Sequence, residues 1–82
     1  MPLLATYPSS HAALAAERRL RTGGLPVELI PVPRQIRSTC GFCLLVEAED
    51  AREALSLTAP DALWRVMEPL PGTHRKRYEP LP

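Results

Sequence analysis

The sequence predicts an α+β fold, a two-layer sandwich in which two helices cover a four-stranded antiparallel sheet. Two observations carry this expectation. Short apolar runs bounded by Pro and Gly alternate with alanine- and leucine-rich segments of helical spacing, in the order β-α-β-β-α-β. The chain has 82 residues, room for one small domain. Residues 1–68 are read as that domain and 69–82 as a Pro-rich basic tail.

Leu3–Tyr7 is an apolar run that suits a buried strand, ended by Pro8. Ser9 and Ser10 each suit a helix N-cap. His11–Thr22 is then a helix: residues 12–16 are strong formers, and Ala13, Ala16 and Leu20 share one face. Arg19 and Arg21 complement its negative end, and Gly23-Gly24 stops it. Leu25–Val32 is a second strand carrying Pro26 and Pro31, with Pro33 just beyond. Proline cannot donate to a ladder, which places this strand at an edge.

Residues 33–41 form a polar loop. Phe42–Glu47, apolar almost throughout, is a central third strand. The alternative is one long helix over Phe42–Leu57 that begins at the cysteines; Phe-Cys-Leu-Leu-Val is the better strand start. Asp50 is expected to cap a helix over Ala51–Thr58, with Glu53 at capping-box distance and Pro60 beyond. Leu63–Glu68 alternates as a fourth strand. This is the ferredoxin-like order. Strands one and three are expected to run parallel, which sets Ser9–His11 and Cys40 at opposite ends. Residues 69–82 lack periodicity and read as a disordered or extended tail.

Composition narrows the function classes. Aromatic residues are 5% of the chain, so the core is thin and an enzyme with a deep pocket is not expected. A carrier, a binding module or a subunit of an assembly fits better. The net charge of +1 does not suggest a nucleic-acid binder. Charge is uneven, however: +3 over residues 1–46, −4 over 47–68 and +2 over 69–82. Such asymmetry suits complementary faces within a fold or between copies, so a homo-oligomer is expected. No run is long and apolar enough for a membrane span and no targeting signal is legible, which makes the cytoplasm the expected location. There both cysteines stay reduced.

Cys40-Gly41-Phe42-Cys43 is the sharpest chemical feature. Two thiols at this spacing can close a disulfide, share a persulfide or supply half of a tetrahedral metal site. Cys43 reads equally well as a small apolar residue inside the third strand. Cys40 sits in a polar loop where no buried hydrophobe is needed. A thiolate, rather than a thiol, is the nucleophile, and the guanidinium groups of Arg34 and Arg37 would favour it; both also suit a solvated loop. Gly41 would let the backbone pass close to a bound group. Ser9 and Ser10, with free helix N–H groups behind them, form either a small anion cradle or a plain N-cap. Zinc needs two further ligands, and His11 and His74 are poorly placed to supply them, so neither a resident metal nor a cofactor is expected.

Tyr7-Pro8-Ser9-Ser10-His11-Ala12-Ala13-Leu14-Ala15-Ala16-Glu17 resembles the aromatic-x-Ser-x-His-x-Ala-Leu-x-Ala-Glu opening of the Se/S carrier protein-like family. Gly24-Leu25-Pro26-Val27, Leu29–Arg34 and Ile36–Gly41 continue the likeness in order and spacing, over about residues 4–47. The resemblance implies a sulfur or selenium carrier. Cys40 would bear the chalcogen, followed by Gly41, with Ser38, Arg34 and His11 in support. Cys43 departs from the family pattern. On this reading Cys40 accepts sulfur or selenium from a donor protein, such as a cysteine desulfurase, and relays it to an acceptor. Arg34 and Arg37 steady the thiolate, and Cys43 would resolve a persulfide to a disulfide. The rival expectations are a non-catalytic oligomeric interaction or regulatory module and a small cysteine-based metal-binding module.

Overall fold

Leu3–Thr6 forms β1, and all four of its side chains are buried. A short strand buried on both faces belongs in the middle of a sheet. In the computed structural model, which describes residues 2–38 and 40–82 and leaves the side chain of Glu49 undescribed, β1 lies third of five strands. Its neighbours are β3 (Phe42–Val46) and β4 (Ala62–Met67). Outside β3 runs β2 (Glu28–Pro31), and outside β4 runs β5 (Arg77–Leu81). The order is β2-β3-β1-β4-β5, and every pairing is antiparallel.

The two edges carry the prolines. Pro31 ends β2 and Pro80 lies within β5, and an edge strand, paired on one side only, is where a sheet tolerates a residue without an N–H. The edge position expected for strand two, the central position of strand three and the strand reading of Phe42–Val46 are all realised. The expected number of strands is not. β5 makes a fifth strand from residues expected to lie in a disordered or extended tail. Its side chains read exposed or half-buried, since only one side of it meets the sheet.

The first helix, α1 (Ser10–Thr22), starts where the serines predict. Ser9 is the N-cap, and its hydroxyl accepts the Ala12 N–H at 3.1 Å. Ala13, Ala16 and Leu20 form the buried face. Gly23 closes the helix and Gly24 takes φ +88°, a left-handed turn that suits glycine. The second helix departs from expectation. Glu49–Ala51 forms a single 3₁₀ turn, α2 runs only from Arg52 to Ser56, and no side chain caps it. The capping box on Asp50 and Glu53 is therefore not made. Arg52 instead donates from Nη2 to the Pro82 carbonyl, tying α2 to the chain beyond β5.

Side-chain alternation along β1 splits the interior in two. Leu3, Ala5 and Tyr7 pack with Ala13, Ala16, Leu20, Leu44, Val46, Leu55 and Cys40 beneath the helices. Leu4 turns to the opposite face and packs with Ile36, Cys43 and Val66, flanked by Trp64 and Tyr78. Loop residue Ile36 and β5 residue Tyr78 cover the face that the helices leave open. No helix among the described residues is long and apolar enough to cross a membrane.

Strand direction decides the position of the candidate site. β2 and β1 both run antiparallel to β3, so β1 and β2 are parallel, as an intervening helix allows. The loop after β2 reverses the chain into β3. The register pairs Thr6, the last residue of β1, with Cys43, next to the first residue of β3. The parallel arrangement expected for strands one and three is thus corrected: Ser9–His11 and Cys40 lie at the same end of the sheet.

Candidate functional site

Cys40 is the centre of this end. It follows the polar loop, one residue before the glycine that leads into β3, and its side chain turns into the helix-side core. Only 4% of its surface is exposed, so the open loop position expected for it is not what the fold makes. The cause is tertiary. Pairing β3 with β1 swings residue 40 under the start of α1, where the Ser10 hydroxyl oxygen lies 3.7 Å from its sulfur.

The sulfur is also closely held by the backbone of Phe42. The thiol donates to the Phe42 carbonyl at 3.1 Å, and the Phe42 N–H donates to the sulfur at 3.4 Å. The Cys40 N–H donates to Ser38 Oγ at 3.2 Å, which fixes the turn of the chain into the site. A sulfur carrying negative charge would give up its bond to the Phe42 carbonyl, keep the Phe42 N–H and be able to accept a hydrogen bond from the Ser10 hydroxyl. Ser10 and Ser38 are exposed, so the buried sulfur lies one layer below the surface.

Cys43 occupies a different place. It is fully buried on the other face of the sheet, in the Leu4–Ile36–Val66 cluster, and its thiol points to the Pro31 carbonyl at 3.9 Å. Strand alternation and the intervening turn separate the two thiols, and both are free. Burial pushes the Cys43 thiol up to about 11, and the nearby Cys40 sulfur adds to this. Below about 9 the thiol keeps its proton in both states; between there and about 11 the unfolded chain loses it while the folded chain holds it. Stability is therefore expected to fall as pH rises through that window. Urea midpoints should drop across it in the native chain and drop less in Cys43→Ala.

The remaining predicted residues divide between the site and its surroundings. Ser9 is committed to capping α1. His11 is exposed on the first turn of α1, and among the described residues its imidazole makes no hydrogen bond. Gly41 is exposed; a side chain placed there would meet nothing within 4 Å, so no close approach requires glycine. Its carbonyl accepts the Val32 N–H at 3.1 Å. Arg34 and Arg37 point to separate places. Arg34 lines a cleft with Gln35 and Arg75, and Gln35 Nε2 donates to the Lys76 carbonyl at 3.3 Å. Arg37 lines another cleft with Ile36, Ser38 and Asp61. Thr39, between Ser38 and Cys40, lies outside the described residues. Among the described residues no group of three His, Cys, Asp or Glu side chains gathers as a metal site.

Two participants escaped sequence reasoning. Phe42 acts through its backbone, which has no residue-type signal. Asp61 is brought to this end by its N–H, which donates to the Thr6 carbonyl at 2.7 Å as the chain enters β4. The antiparallel relation of β1 and β4 was the signal that could have placed it here.

The chain matches the model of a protein family described as Putative Se/S carrier protein-like, over residues 3–60. It belongs to that family. No curated protein and no solved structure matches it.

Proposed function

We propose that this member of the Se/S carrier family is a cysteine-based carrier and that Cys40 is its loading residue. One observation supports this most: the Cys40 sulfur sits at the N-terminal turn of α1, between the Ser10 hydroxyl and the Phe42 backbone. Of these, the Phe42 N–H and the Ser10 hydroxyl can donate to the anionic sulfur, the form that attacks sulfane sulfur, while the Phe42 carbonyl accepts from the resting thiol. The platform is a ferredoxin-like β-α-β-β-α-β unit extended by β5, acting in the cytoplasm, where thiols stay reduced.

Loading is an exchange without net oxidation. The Cys40 thiolate attacks the terminal sulfur of a donor persulfide, R–S–SH. The donor S–S bond breaks as the new one forms, giving Cys40–S–SH. The donor leaves as a thiolate and takes up the proton that Cys40 released. The same exchange onto an acceptor thiol unloads the carrier, and selenium in place of the terminal sulfur follows the same course. Donor and acceptor are partner proteins on this reading. Among the described residues neither Arg34 nor Arg37 hydrogen-bonds to the sulfur, and their role is attraction of the partner.

Cys43 does not resolve the persulfide on this account, because it is buried on the opposite face. Peptide mapping by mass spectrometry after exposure to a persulfide donor tests the assignment. One added sulfur atom is expected on the Cys40 peptide and none on Cys43, and the Cys43→Ala chain should load as the native one does. Loading confined to Cys43, or none at all, defeats the proposal.

A further inference from the structure

At the same end of the sheet as Cys40, and among the described residues touching it only through Ser38, opens a cleft of about 580 Å³, a size suited to a small molecule. Ile36, Arg37, Ser38 and Asp61 line it. Ile36 is 5% exposed and supplies an apolar floor. Ser38 joins the cleft to the site, since its hydroxyl oxygen holds the Cys40 N–H at 3.2 Å. Arg37 and Asp61 bring opposite charges to the rim. Yet among the described residues neither side chain forms an ion pair or a side-chain hydrogen bond. Asp61 is held in place by its own backbone bond to Thr6 rather than through its carboxylate.

Two unlike charges that flank one cleft without meeting each other leave room for a ligand carrying both complements. A guanidinium fork matches a carboxylate, and a carboxylate matches an ammonium group. A free α-amino acid bears these two charges on one carbon. We infer that the cleft binds a free, zwitterionic α-amino acid with a sulfur- or selenium-bearing side chain. Its α-carboxylate sits on Arg37 and its α-ammonium on Asp61, and its side chain passes Ser38 toward Cys40. This rests on the carrier reading and deepens it, because it makes a small amino-acid persulfide a direct donor beside any donor protein. A cysteine inside a polypeptide has neither free α-group and would gain nothing from this pair.

S-methyl-L-cysteine is a suitable probe, because it keeps both α-charges and cannot exchange sulfur. Titrated into the full chain and followed by ¹H–¹⁵N correlation spectra, it is expected to shift the amides of Ser38 and Asp61 saturably. N-acetyl-S-methyl-L-cysteine, which lacks the ammonium, should bind about tenfold more weakly or worse, as should the native probe with Arg37→Gln or with Asp61→Asn. The spectra themselves report whether each variant is folded. Absence of saturable shifts, or equal binding of the N-acetyl probe, overturns the inference. Loading of the native chain by inorganic polysulfide, which has neither α-charge, reads the carrier function separately. Polysulfide loading without amino-acid binding sinks the cleft proposal alone; amino-acid binding without any loading sinks the carrier reading on which the donor role rests.

Discussion

Tyr7→Ala is expected to destabilise the fold by about 3–5 kcal/mol, the range for deleting a large buried aromatic side chain. A domain of this length has a total stability of roughly 4–12 kcal/mol, so the variant would lose a large share of it. Tyr7 is fully buried and is the largest side chain in the core. It joins the end of β1 to the entry of α1 and reaches across to the end of α2. Its hydroxyl lies 2.7 Å from Thr58 Oγ1. The Thr58 hydroxyl already donates to the Leu55 carbonyl at 2.6 Å, so the Tyr7 O–H is the donor to Thr58. Burial raises the Tyr7 hydroxyl above its ordinary range, and the group stays a neutral donor. Tyr7→Phe, which removes only the bond, should cost about 1 kcal/mol. Urea unfolding of both variants separates packing from hydrogen bonding. Equal costs would mean that the ring contributes nothing, contrary to its position. Because Tyr7 precedes Pro8-Ser9-Ser10 directly, Tyr7→Ala should also speed alkylation of Cys40.

Cys40→Ser is expected to abolish sulfur loading while leaving the chain folded. Serine is close to cysteine in size, and its hydroxyl can donate to the same Phe42 carbonyl. Loss of loading in a variant with native-like unfolding would therefore report on the sulfur and not on the fold. Ser10→Ala is the finer probe. Its hydroxyl stands 3.7 Å from the sulfur and is free to donate to it once charged. Removal should slow loading by about two- to tenfold, the value of one modest hydrogen bond. Loading at Cys40 measured by intact mass against time gives both rates. Full loading of Cys40→Ser would place the acceptor elsewhere, and an unchanged rate in Ser10→Ala would remove Ser10 from the site.

The parts of the fold that local chemistry dictates were legible in the sequence. α1 has an N-cap serine, an alanine-rich body, one apolar face and a glycine stop, all within thirteen residues and two flanks. β2 announced its edge position through proline. β5 did not announce itself, because Arg77, Glu79 and Pro80 give no apolar alternation. Pairing with β4 forms that strand, and an exposed edge tolerates its polar residues. The Asp50 cap expected for α2 is not made, because Asp50 lies inside the 3₁₀ turn and buried Ala51 takes the cap position, and α2 ends at Ser56, short of Thr58.

For the site, the residue types were legible and the arrangement was not. Cys40 stood out by its surroundings in the chain, but its burial under α1 is a product of strand pairing. The same pairing unites Ser10 with Cys40 and sends Cys43 to the far face. Two cysteines three positions apart look like a pair in sequence. In the fold, a turn and a strand step place them in separate clusters.

A carrier must release what it accepts. The most direct test is to load the purified chain with isotopically labelled sulfane sulfur, remove the donor, and add an acceptor thiol. The label should leave Cys40, appear on the acceptor in equal amount, and return Cys40 to its unmodified mass, ready for a second loading. A label that never reaches Cys40, or one that stays there while the acceptor remains unlabelled, contradicts the carrier account.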